Sequence, residues 1–249
     1  MIFKSITTSI ILLALVLFGT VGCTSIARRL LFHPTHRPHN NSLTPWMWNG
    51  KIIGYARQIV SPRNVWLLLH GNAGQASDRL YAVPSFSSDD SVFILEYPGY
   101  GSRAGVPSQE TFNRAGREAY LLLRKTYPHN PVCVAAESIG SGPASYLASL
   151  SQPPDKLILI VPFDIISLVA KDYFPAFLVD RMLKDNWDNV EALANYQGPV
   201  EIFGAEADSI IPVRHAKALA AALPRAKMTV IGGGHNDWSH QGRVTIRNP

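Results

Sequence analysis

The chain has 249 residues, of which 47% are hydrophobic and 16% are charged. This length and composition allow one large hydrophobic core and exclude a disordered protein. The formal net charge is +5, but the lysines and arginines form no run of five or more, so a nucleic-acid partner is not expected.

Residues 1–23 have the pattern of a secretory signal. Lys4 precedes a mostly apolar stretch whose unbroken core spans residues 10–18, and small residues then lead to Cys23. We therefore interpret this part of the chain as a targeting segment that does not belong to the fold.

Two modes of membrane attachment fit this segment. The residues from Thr20 to Cys23 resemble the bacterial lipobox, whose cysteine is lipidated, although Thr20 replaces the leucine that is usual there. The alternative is an uncleaved anchor helix, but Arg28 and Arg29 after the segment outweigh Lys4 before it, and this asymmetry opposes an anchor with its amino terminus inside. Either mode predicts membrane association in the cell envelope, with the domain facing outward.

Residues 24–44 predict a connector. His33, His36 and His39 are spaced by three, which on a helix would align three imidazoles, but Pro34 and Pro38 break such a helix. We therefore expect no metal site, and the folded domain is predicted to span residues 45–249.

Strand-like and helix-like segments alternate through this domain. A strand is predicted within residues 51–60, and residues 110–123 predict a helix because their apolar residues recur at helical spacing and Ser108 can cap it. Alternation of this kind predicts a mostly parallel sheet with helices on both faces and a ligand site at the carboxyl ends of the strands. Further strands are predicted at residues 65–69, 92–95, 132–136, 157–161, 200–203 and 228–231.

The polar residues that carry chemistry stand in loops after these strands. The run from Ala136 to Gly142 reads as a nucleophile elbow with Ala136 in place of the first glycine, which makes Ser138 the nucleophile. The elbow also directs the amide of Ile139 toward the space above the serine, where it can donate to an oxyanion. Asp208 and His235 follow two later strands, and the chain order of serine, acid and histidine predicts a catalytic triad.

The motifs together resemble a known family. The chain has His-Gly-Asn-Ala-Gly at 70–74, Tyr-Pro-Gly-Tyr-Gly at 97–101, the serine elbow, Asp-x-x-x-Pro at 208–212 and Gly-His-Asn-Asp at 234–237. It is thus similar to the alpha/beta-hydrolase superfamily, specifically to small serine hydrolases that include bacterial membrane-associated members and relatives of eukaryotic depalmitoylases. The resemblance covers about residues 33–238.

The resemblance implies an alpha/beta-hydrolase fold with a short lid, here about residues 163–196. It implies Ser138 as nucleophile, Asp208 as the acid and His235 as the base, with the amides of Asn72 and Ile139 as the oxyanion hole. No metal or organic cofactor is required by this chemistry.

Three further features of the sequence bear on this assignment. Glu206 is a rival for the acid, because the gap from Gly204 to Asp208 is one residue longer than the family pattern usually shows. Asp237 is expected to be structural, since it is too close to His235 in sequence to orient it. Only 14 residues follow His235, without the apolar face of the amphipathic helix that the family normally has there.

The expected function is hydrolysis of a carboxylic ester or thioester through an acyl-enzyme on Ser138, with a small-molecule acyl substrate. One alternative is an aminopeptidase-like serine peptidase, although no acidic cluster for a free amine is evident. The other is a catalytically inactive, lipid-anchored binding protein on the same fold, which the short tail favours and the complete triad opposes. The sequence does not indicate the oligomeric state.

Overall fold

The structure is a computed structural model that describes residues 27–240 and 243–247. The predicted signal segment and its candidate lipidation site, Cys23, lie outside the described residues. Within the described ranges, no helix combines the length and the apolar character needed to cross a membrane.

The described residues form an eight-stranded sheet of β1 (Thr44–Trp48), β2 (Lys51–Arg57), β3 (Val65–Leu69), β4 (Ser91–Leu95), β5 (Val132–Glu137), β6 (Leu157–Ile160), β7 (Val200–Ala205) and β8 (Lys227–Ile231). The strand order is β1-β2-β4-β3-β5-β6-β7-β8. Its first two pairings, β1 with β2 and β2 with β4, are antiparallel, and every later pairing is parallel. The predicted sheet is confirmed.

The central strands are apolar on both faces because both faces are covered. Alternate residues of a strand point to opposite faces, and β3 shows this, since Leu67 belongs to one buried cluster and Trp66 and Leu68 belong to the other. The edge strand β1 was not predicted from the sequence. Only its middle residue, Trp46, is buried, and the strand therefore lacks a continuous apolar run.

Helices flank the sheet. The predicted helix after Ser108 is confirmed: Ser108 Oγ accepts a hydrogen bond from the Thr111 N–H, and Thr111 Oγ1 accepts one from the Ser108 N–H, which together form a capping box. The helices are α1 (Gln109–Thr126), α2 (Ser141–Ala148), α3 (Ile166–Lys171), α4 (Ala176–Met182), α5 (Asn189–Leu193) and α6 (Val213–Ala222), with 3-10 helices at Ala76–Ser85 and Ser138–Gly140. Residues 27–31 are also helical.

The chain after His235 packs on the sheet without a helix in residues 243–247. Trp238, Val244 and Ile246 are buried in the same cluster as Trp66 and Ile158. The Ile246 N–H donates to Ser85 O at 2.8 Å. Irregular, non-helical chain therefore covers this face close to the histidine loop.

Candidate active site

Ser138 stands at the sharp turn between β5 and α2. Its φ is +55°, a left-handed conformation that typically costs a non-glycine residue about 1–3 kcal/mol. A Cβ on Gly140 would lie 2.1 Å from Leu69 O, and Ala136 is fully buried between neighbouring strands. The turn therefore requires small residues on both sides of the serine, as the elbow motif predicts.

Ser138, His235 and Asp208 form a chain of hydrogen bonds. His235 Nε2 lies 2.9 Å from Ser138 Oγ, and His235 Nδ1 lies 2.7 Å from Asp208 Oδ2. The other oxygen of Asp208 accepts the N–H groups of Ile210 and Ile211, both at 2.8 Å. Since all three side chains are buried at the carboxyl ends of β5, β7 and β8, the fold unites residues that are 97 positions apart at most.

The two other acidic candidates lie elsewhere. Glu206 is exposed, and its N–H donates to Ile231 O. Asp237 Oδ2 accepts the Gly234 N–H at 2.8 Å, so this carboxylate braces the turn that carries His235. The geometry therefore places Asp208, and neither Glu206 nor Asp237, against the histidine.

Both residues predicted for the oxyanion hole line the same cavity as Ser138 and His235. The side chain of Asn72 is engaged elsewhere: its Oδ1 accepts the Tyr100 hydroxyl at 2.9 Å, and its Nδ2 donates to Leu31 O. The part of Asn72 that is suited to an oxyanion is therefore its main-chain N–H.

Arg79 is a residue of this site that sequence reasoning missed. Its Nη2 donates to the carbonyl oxygens of Gly71, at 3.2 Å, and of Ala73. The Gly71 carbonyl belongs to the peptide unit that carries the Asn72 N–H. Because the peptide is trans, its C=O and N–H point in opposite directions, so the bond from Arg79 fixes the direction of the Asn72 N–H.

Glu137, directly before Ser138, is the partner of Arg79. Its Oε2 lies 3.8 Å from Arg79 Nε and accepts the Gly71 N–H at 3.2 Å, while the Tyr81 hydroxyl donates to both of its oxygens. Burial by itself raises the pKa of Glu137, but the Arg79 guanidinium, together with Trp238 and the Gly71 N–H, outweighs burial and holds this pKa below its ordinary value. Glu137 is therefore a buried carboxylate ion that ties the elbow to the loop of Asn72.

Polar contacts join residues 163–196, the predicted lid segment, to α6 and to the loop of Asp208. His215, near the start of α6, lies 2.8 Å from Asp164 through Nδ1 and 2.8 Å from Asp172 through Nε2. The hydroxyl of Tyr173 donates to Ser209 O at 2.7 Å and to Ile210 O at 3.0 Å. These contacts therefore hold the predicted lid segment against the loop of Asp208, beside the site.

A cavity of about 530 Å³ adjoins Ser138, within the size range of small-molecule sites. From residues 163–196, the side chains of Ile166, Tyr173 and Phe174 line it. The connector and the acid loop add further apolar lining through Leu30, Leu31, Ile210 and Ile211. The lining is therefore mostly apolar, with the polar groups gathered near Ser138.

Within the described part of the chain, no group of three or more His, Cys, Asp or Glu side chains is arranged to hold a metal ion. His33 and His36 contact Asn72 and Gly101 respectively, and the ring of His39 packs against Tyr55. These histidines thus serve separate local contacts.

Proteins with similar sequences occur in bacteria and in vertebrates. An uncharacterized protein of Mycobacterium tuberculosis is 33% identical over 176 residues, which are 69% of this chain and 62% of that protein. The alpha/beta hydrolase domain-containing protein 17B of Xenopus laevis is 30% identical over 200 residues, which are 78% of this chain and 67% of that protein. The chain belongs to the alpha/beta-hydrolase superfamily.

This hydrolase matches no protein-family model. The structure of TT1662 from Thermus thermophilus superposes with a TM-score of 0.63 at 17% identity, covering 82% of this chain and 94% of that one, which shows a shared fold. The alignment spans less than two thirds of the mycobacterial relative.

Proposed function

We propose that this hydrolase cleaves carboxylic ester or thioester bonds through an acyl-enzyme on Ser138. The observation that carries the proposal is the hydrogen-bonded chain from Ser138 Oγ through His235 to Asp208, with distances of 2.9 and 2.7 Å, at the wall of a cavity with a mostly apolar lining.

The geometry supports the following sequence of steps. His235 Nε2 takes the proton of Ser138 as its Oγ attacks the substrate carbonyl, and Asp208 holds the Nδ1–H tautomer and stabilises the imidazolium. The oxyanion of the tetrahedral intermediate accepts hydrogen bonds from the amides of Asn72 and Ile139. His235 then protonates the leaving alcohol or thiol and later activates the water that releases the acid.

The cavity favours an acyl substrate over a peptide with a free amino terminus. Among the described residues that line it, Glu137 is the one carboxylate, and this group is paired with Arg79. A substrate ammonium group therefore meets no free negative charge, whereas an acyl chain meets apolar side chains.

The proposal is tested with p-nitrophenyl esters of increasing chain length and a fluorophosphonate probe. Ser138→Ala should lose probe labelling and lower kcat by roughly 10⁶-fold. Ser145→Ala is the matched control, because its buried hydroxyl has no hydrogen-bond partner among the described residues, and it should behave as the wild type. Failure of the wild type to react with the probe or with any ester contradicts the proposal and favours an inactive binding protein.

A further inference from the structure

Large apolar side chains are exposed around the mouth of the cavity. Leu30, Tyr173, Phe174 and Ile210 line the cavity, and Phe177 and Leu178 follow on α4, which packs against α3. These six residues, here called the apolar rim, are each between 39% and 70% exposed. They come from three separate parts of the chain, so the fold has gathered this surface at one place. An exposed patch of this kind marks an interaction site.

The charges beside the apolar rim are mainly positive. Asp180 is ion-paired with Lys171 at 2.7 Å, and Asp172 is ion-paired with Arg214 and hydrogen-bonded to His215. Arg29, Arg181 and Lys184 are exposed. Apolar side chains flanked by arginine and lysine suit a bilayer that contains anionic lipid.

The position of the apolar rim along the chain favours a bilayer over other partners for this surface. The apolar stretch that ends at Phe18 precedes Ala27 by nine residues, which span at most about 32 Å when fully extended. Cys23 precedes Ala27 by only four residues, or at most about 14 Å. Leu30, three residues further on, already lines the cavity. Attachment through either feature therefore keeps the apolar rim within about one bilayer core thickness of the membrane.

We infer that the apolar rim is a membrane-docking surface, and that the cavity takes acyl chains directly from an anionic phospholipid bilayer. Phe177 and the other residues of the apolar rim enter the interface between membrane and water, and the mouth of the cavity faces the lipid. The substrate class is then a membrane-resident long-chain acyl ester or thioester. The identity of the scissile bond rests on the proposed function, whereas the docking surface does not.

The docking surface is tested without reference to activity. Cysteine at position 177 in the full chain (Phe177→Cys) is labelled with an environment-sensitive dye, and the protein is reconstituted in phosphatidylcholine vesicles with and without phosphatidylglycerol. Val60→Cys is the control, because Val60 is 97% exposed in the loop before β3, at the opposite end of the strands. The labelled wild type provides the blank for the native cysteines.

A blue-shifted emission at position 177 that requires lipid, is larger with phosphatidylglycerol and is absent at position 60 supports the inference. Equal responses at both positions, or none at 177, overturn it. A shift without lipid that grows with protein concentration also overturns it, since a second copy of the chain then covers the apolar rim.

A second experiment tests the source of the substrate. The double variant Phe177→Ser/Leu178→Ser is compared with Val60→Ser, whose residue is exposed in the loop before β3. The rim variant should lose about tenfold or more of its activity on a long-chain ester in vesicles and keep its activity on water-soluble p-nitrophenyl acetate. Equal loss on both substrates overturns the inference. If the wild type hydrolyses neither substrate while the dye responds, the proposed function fails and the docking surface stands.

Discussion

The guanidinium of Arg79 and the carboxylate of Glu137 lie 3.8 Å apart, and each binds Gly71, the residue before Asn72. Glu137 is also adjacent to Ser138 in the chain. One buried ion pair therefore connects the proposed nucleophile to the proposed oxyanion hole, and it fixes where the Asn72 N–H points.

Replacing Arg79 with methionine should lower kcat and change KM little, because the oxyanion exists only in the transition state and the tetrahedral intermediate. We expect a loss of about tenfold to hundredfold, below the roughly 10²–10³-fold that removal of a donor costs. Arg225→Met, at an exposed site that contacts Gln197, is the matched control. Kinetics on a soluble ester give both constants, and a rise in KM at constant kcat would contradict the positioning role.

The ion pair between Arg79 and Glu137 should make the free energy of unfolding depend on pH in the acid range. The pKa of Glu137 is lowered in the fold because Arg79, together with Trp238 and the Gly71 N–H, outweighs the effect of burial. The unfolded chain therefore binds the proton first as pH falls below about 4.3, so the stabilisation is complete above that pH and is lost as pH falls through the folded pKa.

Glu137→Gln should accordingly be less stable than the wild type at pH 7, and the difference should narrow below about pH 4. Urea unfolding at pH 7, 5, 4 and 3 measures it. The exposed Glu206→Gln should follow the wild type throughout. A Glu137→Gln difference that widens toward low pH would sink this account.

The assignment of the acid is tested by comparing Asp208→Asn with Glu206→Gln. Asp208 Oδ2 lies 2.7 Å from His235 Nδ1, whereas Glu206 is exposed. An asparagine should favour the wrong imidazole tautomer and lower kcat by about 10⁴-fold, while Glu206→Gln should stay within about twofold. The reverse order of effects would make Glu206 the acid.

Two glycines on neighbouring helices separate a steric requirement from a general helix effect. A Cβ at Gly140 would lie 2.1 Å from Leu69 O, whereas a Cβ at Gly116, within α1, would make an ordinary 3.8 Å contact with Pro143. Gly140→Ala should therefore lower both the melting temperature and the activity. Gly116→Ala should preserve activity and leave stability equal or raise it by about 0.5–1 kcal/mol, since alanine favours a helix. Thermal unfolding that treats both substitutions alike would contradict the close approach at the elbow.

The local pattern of apolar and polar residues was sufficient to predict much of the fold. The strands that are buried on both faces, such as β3 and β5, are recognisable in the sequence as short apolar runs. Strand β1 does not, because an edge strand is half exposed and carries no such run. The helix after Ser108 was predictable because its cap and its apolar spacing are properties of consecutive residues.

The short tail shows where pattern alone was insufficient. The lack of a helical apolar face after His235 was visible in the sequence. That Trp238, Val244 and Ile246 nevertheless fill the cluster beside the histidine loop follows from packing across the sheet. No local periodicity indicates that arrangement.

The sequence by itself determined that a serine, an acid and a histidine stand in loops after separate strands, because short turn motifs and chain order are local properties. Only the tertiary structure decided that Asp208 contacts His235 while Glu206 is exposed to solvent. It also decided that Arg79 and Glu137 brace the loop of Asn72, and that apolar side chains lie around the mouth of the cavity. The physical reason is that these contacts join residues far apart in the chain, and parallel strands bring them together only at the carboxyl edge of the folded sheet.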